Sequence, residues 1–124
     1  MAFAVTRMMP VLRSFDEMKA KAFYCDFLGF SVDFEHRFEP GMPLFMQLSL
    51  EGATVQLSEH HGDATPGSTV RFIVTGLADY HRAITAKGYP NARPGIEQAE
   101  WGADEMTVLD PFGNRLIFTQ YRPD

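Results

Sequence analysis

The sequence predicts an α+β fold: two tandem β-α-β-β-β modules whose curved mixed sheets enclose a cleft. Three observations predict it. Stretches with period-two alternation stand beside stretches with helical spacing. The order strand, helix, strand, strand, strand occurs twice, a repeat of roughly 55–60 residues. The halves also echo locally, "FLGF" against "AKGY" and Met46…Gly52 against Met106…Gly113. One module alone leaves an apolar sheet face uncovered; two modules, or two from each of two chains, enclose a cleft.

"RMMPVL" reads as the first strand, with Pro10 marking an edge. "RSFDEMKAKAFYCDFLGF" is a helix. Ser14 and Glu17 have capping-box spacing, and Asp16 and Glu17 complement the helix dipole. Phe15, Met18, Ala22 and Cys25 share a face, with Phe23 beside them, and Gly29 is the stop. "FSVDFEHRF" alternates Phe30, Val32 and Phe34 with polar residues. "LFMQLSL" and "ATVQLS" flank a hairpin turn at Glu51-Gly52. Module one thus covers about 5–59 and module two about 67–122. In the second, "TVRFIV" is a strand and "LADYHRAITAKGY" a helix stopped by Gly88. "PNARPGIEQAEWGAD" holds a loop and a short strand, and "EMTVLDPFGNRLIFTQY" is a hairpin turning at Asp110–Asn114.

The totals exclude several functions. At 124 residues the chain is one domain with room for a core. A net charge of −5 disfavours nucleic acid, which needs clustered Lys and Arg, and suits a cationic ligand. No apolar run is long enough to span a membrane, and "MAFAVTRMMPVL" is not a signal peptide. The single cysteine, Cys25, cannot form an internal disulfide, so the expected location is the cytoplasm.

"FYCDFLGFSVDFEHRF" in the first half and "WGADEMTVLDPFGNRLIFTQ" in the second resemble the vicinal oxygen chelate superfamily, over nearly the whole chain. That superfamily contains glyoxalase I, extradiol dioxygenases, fosfomycin-resistance enzymes and bleomycin-resistance proteins. Trp-Gly followed by "DPFGN" looks most like the bleomycin-resistance branch. In the metal enzymes four inward strand positions carry His, Glu or Gln. Transferred here, they fall on Met9, Gln56, Thr69 and Ile117. Met and Ile cannot serve a hard divalent ion, and one amide has no useful affinity. No metal and no other cofactor is expected.

"LSEHHGDATPG" packs Glu59, His60, His61 and Asp63 together. Adjacent residues on an extended segment point to opposite sides, so His60 and His61 do not grip one ion. The stretch reads as the inter-module loop, with one His available to line the cleft. Asp33, Glu35, His36, His60 and Glu105 are the acid–base candidates, but no nucleophile–base pair stands out. Strand alternation puts Glu35 and Arg37 on one face and Phe34, His36 and Phe38 on the other. Cys25 sits on the helix's apolar stripe as a core residue.

Trp101, alone of its kind and in the polar "QAEWGAD", is the stronger pointer. A flat ring there suits stacking of a heteroaromatic ligand or capping of a cation. The resemblance implies the same: in bleomycin-resistance proteins the Trp-Gly loop and an aromatic of module one hold the drug's planar tail. The family often has Pro before Trp-Gly, where this chain has Glu100. The expected ligand-binding residues are therefore Phe34, Phe38, Trp101, Gly102, Asp33, His60 and Glu105, with no catalytic residue. The acids supply negative potential. The expected function is sequestration of a planar, cationic small molecule of the bleomycin type, by a homodimer with clefts at the subunit interface. The alternatives are a metal-dependent enzyme of glyoxalase or dioxygenase type with a displaced site, and a small-molecule sensor or carrier.

Overall fold

The computed structural model describes residues 2–123. Its strands and helices run β1 (Val11–Arg13), α1 (Glu17–Lys21, continuing as a π-helical stretch Ala22–Phe27), β2 (Ser31–His36), β3 (Phe45–Leu50) and β4 (Ala53–Ser58), then β5 (Thr69–Ile73), α2 (Leu77–Thr85), β6 (Ile96–Ala99), β7 (Ala103–Leu109) and β8 (Arg115–Tyr121). They form two four-stranded sheets, ordered β1-β4-β3-β2 and β5-β8-β7-β6. Each is mixed, with the first strand of its module parallel to the last and the other pairs antiparallel. The repeat is therefore structural, and the sheets do not close into a barrel.

Alternation along each strand sends one set of side chains to the core. Met46, Leu48, Val55 and Leu57 do so in module one, and Phe72, Met106, Val108, Leu116 and Phe118 in module two. Both sets belong to one cluster that also contains Phe23, Tyr24, Phe27, Leu77 and Ile84 from the helices. Several contacts tie the modules across it. Phe27 stacks on Tyr89 at 4.6 Å and Phe30 meets Phe72 edge-on at 6.2 Å. Tyr24 Oη donates to Asp110 (2.7 Å) and Tyr80 Oη to the Leu28 carbonyl (2.6 Å). The core lies between the modules, so each sheet keeps an outer face that the chain itself does not cover. All of β2 is exposed.

Four sequence expectations change in detail. The first strand begins at Val11, not Arg7, and its ladder reaches back only to the Pro10 carbonyl, which accepts from Gln56 N–H. Residues 2–8 form an exposed arm. The helix is capped by Asp16, whose carboxylate accepts from Lys19 N–H at 2.8 Å, and not by Ser14. Ser14 is buried, its N–H continuing the β1–β4 ladder to Ser58. The buried helix face is Ala20, Phe23, Tyr24 and Phe27, whereas Phe15 and Met18 face solvent, Met18 at 84% exposure. Both stripes have helical spacing; the larger aromatic volume of the second wins the core, leaving Cys25 half-buried. Finally, the alternation of Phe30, Val32 and Phe34 is broken by a bulge between Val32 and Phe34.

The helix ends as expected. Leu28 N–H donates to Phe23 O and Phe30 N–H to Tyr24 O, a widened terminal turn. Gly29 sits in it at φ 93°, a conformation that a side chain resists.

Candidate functional site

The expected ligand-binding residues fall into two groups on the two outer faces. In module one the bulge turns Asp33 onto the outer face. There it accepts from Ser49 Oγ (2.6 Å) and Gln47 Nε2 (3.0 Å), while Gln47 in turn accepts from Gln56 Nε2 (3.1 Å). The Ser49 and Gln47 bonds hold the Asp33 carboxyl below its ordinary range. Beside this polar ladder lies an aromatic patch. Phe34 stacks with Phe45 at 6.2 Å, and Phe38, 71% exposed, is met edge-on by His36 (4.8 Å) and His60 (5.9 Å). The expected alternation holds, since Glu35 and Arg37 turn to the other side, where Lys21 bridges Glu35 and Glu17 and Arg37 pairs with Glu17. His61 is exposed and bridges to Ala64 in the loop.

In module two Trp101 occupies the turn between β6 and β7 and is 51% exposed. Tyr121 meets its ring at 5.7 Å, and the Arg71 guanidinium carbon lies 5.4 Å from the ring centroid. Gly102 takes φ 90°, and its carbonyl accepts from Arg122 N–H at 2.8 Å. Arg122 also bonds Asp104 (2.7 Å) and the carbonyls of Ala103 and Ala99, pinning the base of that turn. With Glu100 in place of a proline, these bonds supply the rigidity.

Glu105 requires a correction. It is not a free source of negative potential: its carboxylate pairs with Arg71 and accepts from Thr119 Oγ1 at 2.9 Å. Sequence patterning does not single out Arg71 as a site residue, nor its companions Thr119 and Tyr121. The available signal was a charged residue inside the apolar run "TVRFIV". Tertiary structure alone assigns it a carboxylate two strands away, since β8 lies between β5 and β7.

Met9 is half-buried in the segment before β1, Gln56 already donates to Gln47, Thr69 is exposed and Ile117 is buried on β8. These residues do not fit a divalent metal, because they offer one amide, one hydroxyl, one thioether and a hydrocarbon. Among the described residues no three His, Cys, Asp or Glu side chains are grouped to hold one elsewhere. Burial raises the Cys25 thiol above its ordinary range, the opposite of an activated nucleophile.

A further cleft of about 800 Å³ opens where the β3–β4 turn (Leu50–Ala53) approaches β5, with Arg71, Ile73 and Tyr80 in its wall.

Paired β-α-β-β-β modules with open aromatic outer faces define a protein of vicinal oxygen chelate type. The chain belongs to the glyoxalase superfamily, whose family model, "Glyoxalase superfamily protein", matches residues 2–123. Among solved structures it is similar to a bleomycin-binding protein complexed with bleomycin, at 25% identity and TM-score 0.68, over 95% of this chain and 100% of that one. It is also similar in fold to a bleomycin resistance determinant encoded on transposon Tn5 (22% identity, TM-score 0.70, 96% and 100% covered). A glyoxalase-related enzyme from Clostridium phytofermentans shares the fold as well (19% identity, TM-score 0.74, 96% and 97% covered). No curated protein matches the chain. No helix among the described residues is long and apolar enough to cross a membrane.

Proposed function

We propose that the protein sequesters a planar small molecule of the bleomycin type without converting it, acting as a cytoplasmic homodimer. The observation that carries this reading is Trp101: a half-exposed indole held on an outer sheet face beside Tyr121. Ordering a large ring at the surface costs hydrophobic burial, and stacking on a flat ligand recovers it. The likeness to a bleomycin-binding protein supports the same ligand class. Phe34 and Phe38 with His60, on module one, would form the second wall. They lie on a different sheet from Trp101, so two chains, with module one of one facing module two of the other, complete the cleft. Asp33, ionised at neutral pH, supplies the negative potential for a cationic part of the ligand. Binding alone needs no nucleophile, base or metal.

The test is a titration with metal-free and with copper-loaded bleomycin, followed by the fluorescence of the single tryptophan. Saturable quenching at micromolar drug is expected, and calorimetry of the Trp101→Ala protein should then show binding weakened at least tenfold, the loss of about 1.4 kcal/mol or more. No change up to millimolar drug would remove bleomycin from the reading. Stoichiometric metal in the purified protein, lost with His60→Ala, would favour an enzyme with a displaced site instead.

A further inference from the structure

Arg71 has no place in the sequestration reading as described so far, yet it is a clamped cation set against the tryptophan ring. Its Nη1 donates to the Glu105 carboxylate and to Thr119 Oγ1 (2.7 Å). Thr119 is fully buried and itself donates to Glu105, so the anchor is a closed three-member set. The Trp101 ring supports the guanidinium from a second direction. Both protons of Nη1 are spent. Nε and Nη2 have no partner among the described residues, and together they make the side-on fork with which arginine grips a carboxylate through two parallel bonds. Arg71 retains 40% side-chain exposure and stands in the wall of the 800 Å³ cleft.

From this geometry we infer that Arg71 is a specificity-determining residue, and that the ligand taken on the Trp101 face is a planar molecule carrying a carboxylate. The inference rests on Trp101 being the ligand platform and adds a polar anchor to it; a cationic group elsewhere on the ligand, near Asp33, is compatible. The acids around the site do not cancel the anchor. Glu105 is already committed to Nη1, and Glu51, Glu97 and Glu100 are exposed, so their repulsion of an anion is screened by water. A two-point bond to a clamped guanidinium acts at contact, and the entropy of ordering the arginine has been met in advance.

The test is calorimetry of the full chain with three probes sharing one ring system: 2-naphthoate, 2-naphthamide and 2-naphthylmethylammonium. The wild type should bind naphthoate about tenfold more tightly than the amide, as a charge-assisted pair gives. Arg71→Met should bring the two level. Arg71→Lys, which keeps the charge and loses the fork, should lose most of the preference, and far-UV circular dichroism reports whether either variant is folded. Trp101→Ala should weaken all three probes together. Equal binding of naphthoate and amide by the wild type, or tightest binding of the ammonium, with Trp101→Ala still weakening all three, overturns the role of Arg71 and leaves the platform standing. A naphthoate preference that survives both Arg71 substitutions overturns it as well. No saturable heat from any probe overturns the anchor and the platform together.

Discussion

At the scale of single residues, the molecule departs from simple rules where a side chain is asked for an uncommon conformation or partner. Glu51 is one such place. The two-residue turn between β3 and β4 was legible from Glu51-Gly52, but the left-handed conformation falls on the glutamate, at φ 52°, and not on the glycine. A hairpin turn with positive φ at its first central position favours glycine there. Glu51→Gly should therefore stabilise the protein by about 1 kcal/mol, the cost of holding a β-carbon in that region. The midpoint of urea unfolding measures it, and an unchanged or lowered midpoint refutes it. Arg71 is the other place. A lone charged residue in an apolar strand can be read from sequence as an outward position, but its clamp draws on β5, β7 and β8 at once. Only the fold brings those side chains together.

Among elements, the first helix shows how local and tertiary preferences divide the work. Its existence and its glycine stop were readable from capping residues and spacing. The identity of the cap was not, because Ser14 and Asp16 are both competent and the parallel β1–β4 pairing claims Ser14. Asp16→Ala should cost about 1 kcal/mol in urea unfolding, as the loss of a side-chain cap does; an effect within error would show that the bond to Lys19 adds nothing. The helix is also tied to β2 by charge. Glu17 bonds Lys21 and Arg37, and Lys21 bonds Glu35. The bonds from Lys21 and then Arg37 hold the Glu17 carboxyl below its ordinary 4.5. A depressed carboxylate contributes stability that is fully present above the unfolded-state value and is lost as pH falls through the folded-state value. Unfolding midpoints of the wild type should therefore drop as pH is lowered below about 4.5. Glu17→Gln should flatten that limb, and identical slopes in the two proteins would rule the contribution out.

On the scale of the whole molecule, the arrangement of the two modules decides what can bind. Their core faces meet each other through the helices, so the aromatic and polar outer faces are left to solvent or to a partner. Leu109, Tyr121 and Ile73 are exposed on the module-two face, as are Phe34 and Phe38 on module one. Apolar area of this kind is what a stable subunit contact covers. Sedimentation velocity at micromolar concentration is expected to give a dimer, with Leu109→Lys shifting it towards monomer while the circular dichroism spectrum is kept. A wild type that sediments as a monomer throughout would remove the two-chain cleft from the proposed function.

The sequence by itself determined the α+β class, the doubled β-α-β-β-β order, nearly every strand and both turns. Those depend on spacing and turn chemistry, which are local properties of the chain. The family resemblance read on the sequence placed the glyoxalase-type ligand positions on residues that include Met9 and Ile117, whose side chains offer a hard divalent ion no suitable donor wherever they point. The sequence marked Trp101 and Phe34 as candidates, one in each module, but could not say which sheet face carries them. Which helix stripe is buried, where the bulge re-aims Asp33, and that Glu105 is neutralised by Arg71 were decided only by tertiary structure. Each is a competition between alternatives of similar local merit, and the winner is set by contacts between residues far apart in sequence.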